Sequence, residues 1–75
     1  MKEIKLKKNE GLAQVFQHVT IRHDVDDDEA YELAVKFCKQ QFPGYDEYRP
    51  NWGAERRMHD GWNLVVIMSK KVKIK

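Results

Sequence analysis

Apolar and polar positions along this chain follow two different periods. Between Asp26 and Gly44, Ala30, Leu33, Ala34, Phe37 and Cys38 recur at the i, i+3, i+4, i+7, i+8 spacing of one helical face. Tyr31, Val35 and Phe42 flank that stripe, and Glu32, Lys36, Lys39 and Gln40 fall on the water side. The spacing predicts a helix capped by Asp26, with Glu29 three residues on as in a capping box and Val25 placed to pack on Ala30. Asp27 and Asp28 suit the positive end of the helix dipole. Pro43 drives Phe42 out of the α region, and Gly44 lets the chain turn away.

Elsewhere the period is two. Ile4 and Leu6 alternate with Lys5 and Lys7, the pattern of a half-buried strand. Asn9-Glu10-Gly11 is a turn signal, after which Leu12–His23 reads as a strand and completes a hairpin. Val15, Val19 and Ile21 share one face of it; Phe16, His18, Thr20 and Arg22 share the other. Gln17 breaks the apolar face, which a bulge or an edge position would explain. Tyr45–Arg49, ended by Pro50, is a third strand, and Asn51–Gly61 is the least regular part of the chain. Asp60-Gly61 is a hairpin-turn dipeptide. After it Trp62, Leu64, Val66, Met68, Val72 and Ile74 keep one parity, interrupted only at Lys70, so one long strand is expected to run nearly to the C-terminus. The order strand, strand, helix, strand, strand predicts an α+β fold: one domain over residues 1–75, with a small antiparallel sheet and one helix across one face.

Composition adds bounds to this outline. Seventy-five residues bury only about 60% of their unfolded surface, so a single small core must hold the domain. A hydrophobic content of 41% is adequate for that core and argues against disorder. Fourteen basic and twelve acidic residues leave a net charge of +2, which alone would not draw the chain onto DNA or a membrane. The one cysteine, Cys38, has no partner for an internal disulfide, which fits a reducing compartment. The charged N-terminus lacks the apolar run of a signal peptide, and no stretch reaches the ~20 apolar residues of a membrane span. A soluble protein of the cytoplasm is the expectation.

Candidate chemistry is sparse. Asp24, Asp26 and Asp28 alternate like calcium-loop ligands, but Glu29 and Val35 stand where that loop needs glycine and glutamate. Helix capping accounts for most of these acids, although exposed Asp24 and Asp27 could also meet a basic partner. His18, His23 and His59 lack the spacing of a zinc pair, and Cys38 sits on the apolar stripe. No metal, cofactor, catalytic group or small-molecule substrate is therefore expected. Arg49, Trp52, Arg56 and Arg57 are the best candidates for a binding surface, since Trp and Arg are enriched at the energetic centres of interfaces. In the alternative, Trp52 closes one end of the core and the arginines are solvated. A nucleic-acid version adds Lys70, Lys71, Lys73 and Lys75, with Trp52 or Tyr48 stacking a base.

From Val19 to Arg49 a strand leads into Asp-x-x-Glu-Ala-x-Glu-Leu-Ala (Asp26, Glu29, Ala30, Glu32, Leu33, Ala34), and a helix ends near Pro43-Gly44-Tyr45. This stretch resembles small phage-encoded host-takeover inhibitors: the early RNA polymerase inhibitors of lytic podophages and the small anti-CRISPR proteins. The resemblance implies a non-enzymatic inhibitor that acts in the bacterial host cell by contacting a host protein or protein complex. Arg49 matches an arginine that contacts the enzyme in those polymerase inhibitors; a second arginine two residues on has no counterpart, because Asn51 stands there. Direct nucleic-acid binding through the basic strand ends is the alternative.

Overall fold

The structure, a computed structural model, describes residues 7–73. Its centre is the long strand that the unbroken parity predicts, Gly61–Lys73 (β4). One edge of β4 pairs antiparallel with Glu10–Ile21 (β1) along the whole of β1, from Glu10↔Lys73 to Ile21↔Trp62. The other edge takes two shorter strands end to end. Glu47–Pro50 (β2) pairs from Glu47↔Ser69 to Pro50↔Val66, and Arg56–Met58 (β3) from Arg56↔Asn63 to Met58↔Gly61. The helix Asp27–Gln41 (α1) lies across one face. The fold is therefore α+β, a four-stranded antiparallel sheet with one helix.

The element order differs from the expected one. Among the described residues it is strand, helix, strand, strand, strand, because β3 is an additional strand within Asn51–Gly61. The expected first strand at Ile4–Lys7 and its hairpin, and Ile74 at the other end, lie outside the described residues apart from Lys7. Among those residues no helix is long and apolar enough to cross a membrane.

The ends of α1 follow from local chemistry. Asp26 is extended (φ −77°, ψ 171°) and its carboxylate accepts the Glu29 N–H at 2.9 Å. Phe42 has left the helix at φ −129°, ψ 68°, and Gly44 takes φ +100°, which a side chain would oppose. The buried stripe is rotated from the one expected. Ala30, Tyr31, Ala34 and Cys38 are buried, whereas Leu33 is half-buried and Phe37 is 43% exposed. Two features set the rotation. Small Ala30, Ala34 and Cys38 let the helix settle on Leu64, Val66 and Met68 of β4. Tyr31 turns toward β2, where its hydroxyl finds the Asn51 carbonyl at 2.6 Å.

The β3–β4 connection also departs from expectation. The register Met58↔Gly61 puts His59-Asp60 in the turn and Gly61 in the strand. Gly61 is required there by close approach: a Cβ on it would lie 1.8 Å from the Ile21 carbonyl oxygen and 2.9 Å from the Arg22 Cα. Gln17 is explained by its edge position. Among the described residues β1 borders the sheet, its register with β4 runs without a bulge, and Gln17 Nε2 donates to the His18 carbonyl at 3.1 Å.

Alternation along the strands then assigns the faces. Val19 and Ile21 of β1, Leu64, Val66 and Met68 of β4, and Tyr48 of β2 meet the helix. The opposite face carries Gln14, Phe16, His18, Thr20, Arg49 and Arg56 around Ile67 and Ser69. Ile67 and Ser69 are nevertheless buried, and Gln14 Nε2 donates to the Ser69 hydroxyl at 3.2 Å.

Candidate functional site

The segment after β2 is short and heavily hydrogen-bonded. The Ala54 N–H donates to the Asn51 carbonyl at 3.1 Å, and Gly53, at φ +96°, donates its N–H to Glu55 Oε1 at 2.8 Å. The same carboxylate oxygen lies 3.2 Å from the Tyr31 hydroxyl, whose single proton is directed mainly at Asn51. Burial, then the adjacent Glu55 charge, push the Tyr31 phenol up to about 12, while the Gly53 N–H holds the Glu55 carboxyl below its usual range. A neutral Tyr31 and an ionised Glu55 thus tie this loop to the helix.

At its tip stands Trp52, 56% exposed, with its ring edge-on to Tyr31 at a centroid distance of 4.5 Å. Trp52 forms one wall of a groove of about 620 Å³ between the β2 side and the near flank of α1. Tyr31, Val35, Tyr48 and Pro50 supply its apolar surface. The rim is graded in charge, with Asp28 and Glu32 toward the helix start and Lys36 and Lys39 toward its end. Tyr48 is itself fixed, donating its hydroxyl proton to the Phe42 carbonyl and accepting the Tyr45 N–H at 3.3 Å. Exposed aromatic area held on a pre-ordered frame loses little entropy when a partner covers it.

The other candidate residues fall in two further places. Arg57 is spent within the fold: it donates to Asp24 and to the Val25 carbonyl (3.1 Å), and its guanidinium lies 5.0 Å from the Trp62 ring centroid. Trp62 Nε1 donates to that same carbonyl at 2.8 Å, so Arg57 and Trp62 together anchor the chain entering α1. Asp27 lies in the first helical turn, where its carboxylate accepts the Asp28 N–H at 2.9 Å. Arg49 and Arg56 point to the opposite face of the sheet from Trp52's groove, because Arg49 alternates with Tyr48 and Pro50. Arg49 Nε lies 3.3 Å from Glu47 Oε1 without hydrogen-bond geometry and is otherwise unpartnered. Arg56 borders a hollow of about 360 Å³ with His18, Thr20 and Asn63.

The arginines and Trp52 therefore do not form one surface. Structure brings Trp52 together instead with Tyr31, Val35, Tyr48 and Pro50. The i, i+4 spacing of Tyr31 and Val35 was the available signal for the helical half of the groove. Cys38 is buried, and desolvation pushes its thiol up, away from the thiolate. Among the described residues no three His, Cys, Asp or Glu side chains are grouped to hold a metal ion. Comparison of the chain with known protein families, curated proteins and solved structures finds no match.

Proposed function

We propose that this chain is a non-enzymatic binding protein and that the groove between α1 and β2 receives a segment of a protein partner, with Trp52 as the anchoring contact. The observation that carries this reading is the exposed, edge-held tryptophan beside a pre-formed apolar groove. A large aromatic left in water at a fixed position costs solvation and is the residue type that most often dominates binding energy. The graded rim selects orientation: basic partner residues at Asp28 and Glu32, acidic ones at Lys36 and Lys39.

The partner we propose is a bacterial nucleic-acid machine, an RNA polymerase or a CRISPR effector, inhibited in the host cytoplasm by a phage-encoded chain. The resemblance over Val19–Arg49 supports that part. A direct nucleic-acid reading is the second, favoured by exposed Lys70, Lys71 and Lys73 at the end of the β1–β4 ribbon that also carries Lys7 and Lys8.

The test is affinity capture from bacterial lysate with the wild-type chain, Trp52→Ala, and Lys70→Ala/Lys71→Ala/Lys73→Ala, each with and without nuclease treatment. A protein recovered by the wild type and the lysine variant but lost with Trp52→Ala is the expected result. Recovery unaffected by Trp52→Ala contradicts the groove. Recovery that needs the lysines and intact nucleic acid favours the second reading.

A further inference from the structure

Beyond Asn51 the chain leaves the sheet on the helix side, where Trp52 packs on Tyr31 and Glu55 accepts the Gly53 N–H beside the Tyr31 hydroxyl. It rejoins β4 at Arg56, opposite Asn63. That excursion leaves the hollow of about 360 Å³ on the opposite face, over half-buried Val65, with Ala54 as its end wall. The volume falls within the range of small-molecule sites, about 300–1,000 Å³.

The polar lining of this hollow is rich in donors. Thr20, Asn63 and Arg56 form one row across β1, β4 and β3, and His18 follows Thr20 on the same face. The Thr20 hydroxyl donates to Asn63 Oδ1 at 2.9 Å, which commits that oxygen within the chain and leaves the Nδ2 hydrogens to donate elsewhere. The ion pairs among the described residues use Arg22, Arg49 and Arg57, so the Arg56 guanidinium keeps its fork of donors. Among the described residues no carboxylate lines the hollow: Glu55 is held by Gly53, and Asp60 pairs with Arg22 at 3.0 Å. Clustered donors with a cation and no counter-charge favour an oxyanion.

Residues 1–6 and 74–75 do not reach this end of the sheet. The Glu10 N–H donates to the Lys7 carbonyl at 3.0 Å, which sets Lys7 beside Glu10. The six residues before Lys7 span at most about 22 Å, whereas the Thr20–Asn63–Arg56 row lies ten strand residues from Glu10, about 34 Å away. Residue 74 follows Lys73, which lies opposite Glu10.

We propose that this hollow binds a phosphate of a single-stranded nucleic acid. Asn63 Nδ2 and the Arg56 fork donate to its oxygens, with His18 alongside. Arg49 selects a strand over a lone phosphate. It lies on the same face and the same side of β4, opposite Ile67, four residues or about 13 Å along from Asn63. Its buried Nε has no hydrogen-bond partner, since Glu47 at 3.3 Å lacks the geometry to accept from it. A backbone running along β4 meets both guanidiniums, whereas a lone phosphate meets one. The site is ten residues along β4 from Lys73 and on the opposite face from Trp52's groove, so it stands whether or not that groove binds protein.

Anisotropy of a labelled oligothymidylate at low salt, with shift mapping of the isotopically labelled chain, tests this. Expected are binding that weakens as salt rises, and shifts at the Asn63 side-chain amide, His18 and Thr20. Arg56→Ala should weaken binding about tenfold or more with an unchanged urea midpoint. Arg56→Lys, which keeps the charge but not the fork, should restore only part of it. Lys70→Ala/Lys71→Ala/Lys73→Ala should keep the Asn63 shift. No binding at low salt overturns the proposal, as does binding that leaves the Asn63 amide unmoved. Inorganic phosphate or a glutamate-rich peptide that shifts Asn63 with the oligonucleotide's affinity also overturns it, replacing the strand by a lone anion or an acidic protein segment.

Discussion

Gly61→Ala is the substitution whose cost the structure defines most sharply. The added Cβ would lie 1.8 Å from the Ile21 carbonyl oxygen, against an ordinary carbon–oxygen contact of about 3.3 Å. The obstacle is backbone, not a side chain that can swing aside, so the end of β1 must move about 1.5 Å from β4. That opens the Ile21↔Trp62 end of the ladder and disturbs Ile21, which is buried in the core. One or two ladder bonds at about 1 kcal/mol each, plus lost packing, bring the cost to about 3 kcal/mol. A domain of this length has a total stability of about 4–11 kcal/mol. The melting temperature should therefore fall by roughly 12–24 °C, measured by circular dichroism with urea titration as a check. Gly44→Ala is the control: nothing lies within 4 Å of its Cβ position, so only the strain of φ +100° remains, about 1 kcal/mol. A Gly61→Ala melt within about 4 °C of wild type would refute the close approach and with it the β1–β4 register.

Leu64→Ala should cost about 2–5 kcal/mol, since Leu64 is buried under the helix, whereas exposed Phe37→Ala in dilute solution should cost less than about 1 kcal/mol; paired urea titrations separate them. The raised Tyr31 phenol favours the neutral form in the folded state, so its contribution is intact below pH 10 and is lost as pH rises toward about 12. The urea midpoint should fall over that window more steeply in wild type than in Tyr31→Phe. Arg57→Ala should lower stability by about 1 kcal/mol through the lost Val25 and Trp62 contacts, and partner capture should persist.

Features set by near neighbours in the chain were legible in the sequence. Asp26 needs only Glu29 to cap a helix, and Pro43-Gly44 ends it without outside help. The parity of Trp62 to Val72 revealed β4 because a strand between two others repeats one face over a long distance. What depended on remote partners was not legible. The rotation of α1 is fixed by an Asn51 carbonyl twenty residues past Tyr31. β3 has no alternation of its own and forms because β4 offers an unpaired edge beyond β2. The grouping of Arg49 with Trp52 failed for a reason present in the sequence, since Arg49 has the opposite parity to Tyr48 and Pro50. Arg57 looked free because nothing local shows that Asp24 and Val25 come to meet it.

The central claim is that Trp52 and its groove form the partner surface. Its most direct test is chemical-shift mapping of the isotopically labelled chain on addition of the captured partner. The account predicts shifts or broadening at the Trp52 indole, the Asn51–Glu55 amides and the Asp28–Lys39 flank of α1, with Arg49 and Arg56 unaffected. Perturbations confined to Arg49, Arg56 and the opposite sheet face, or to Lys70–Lys73, with the Trp52 indole unmoved, would contradict it.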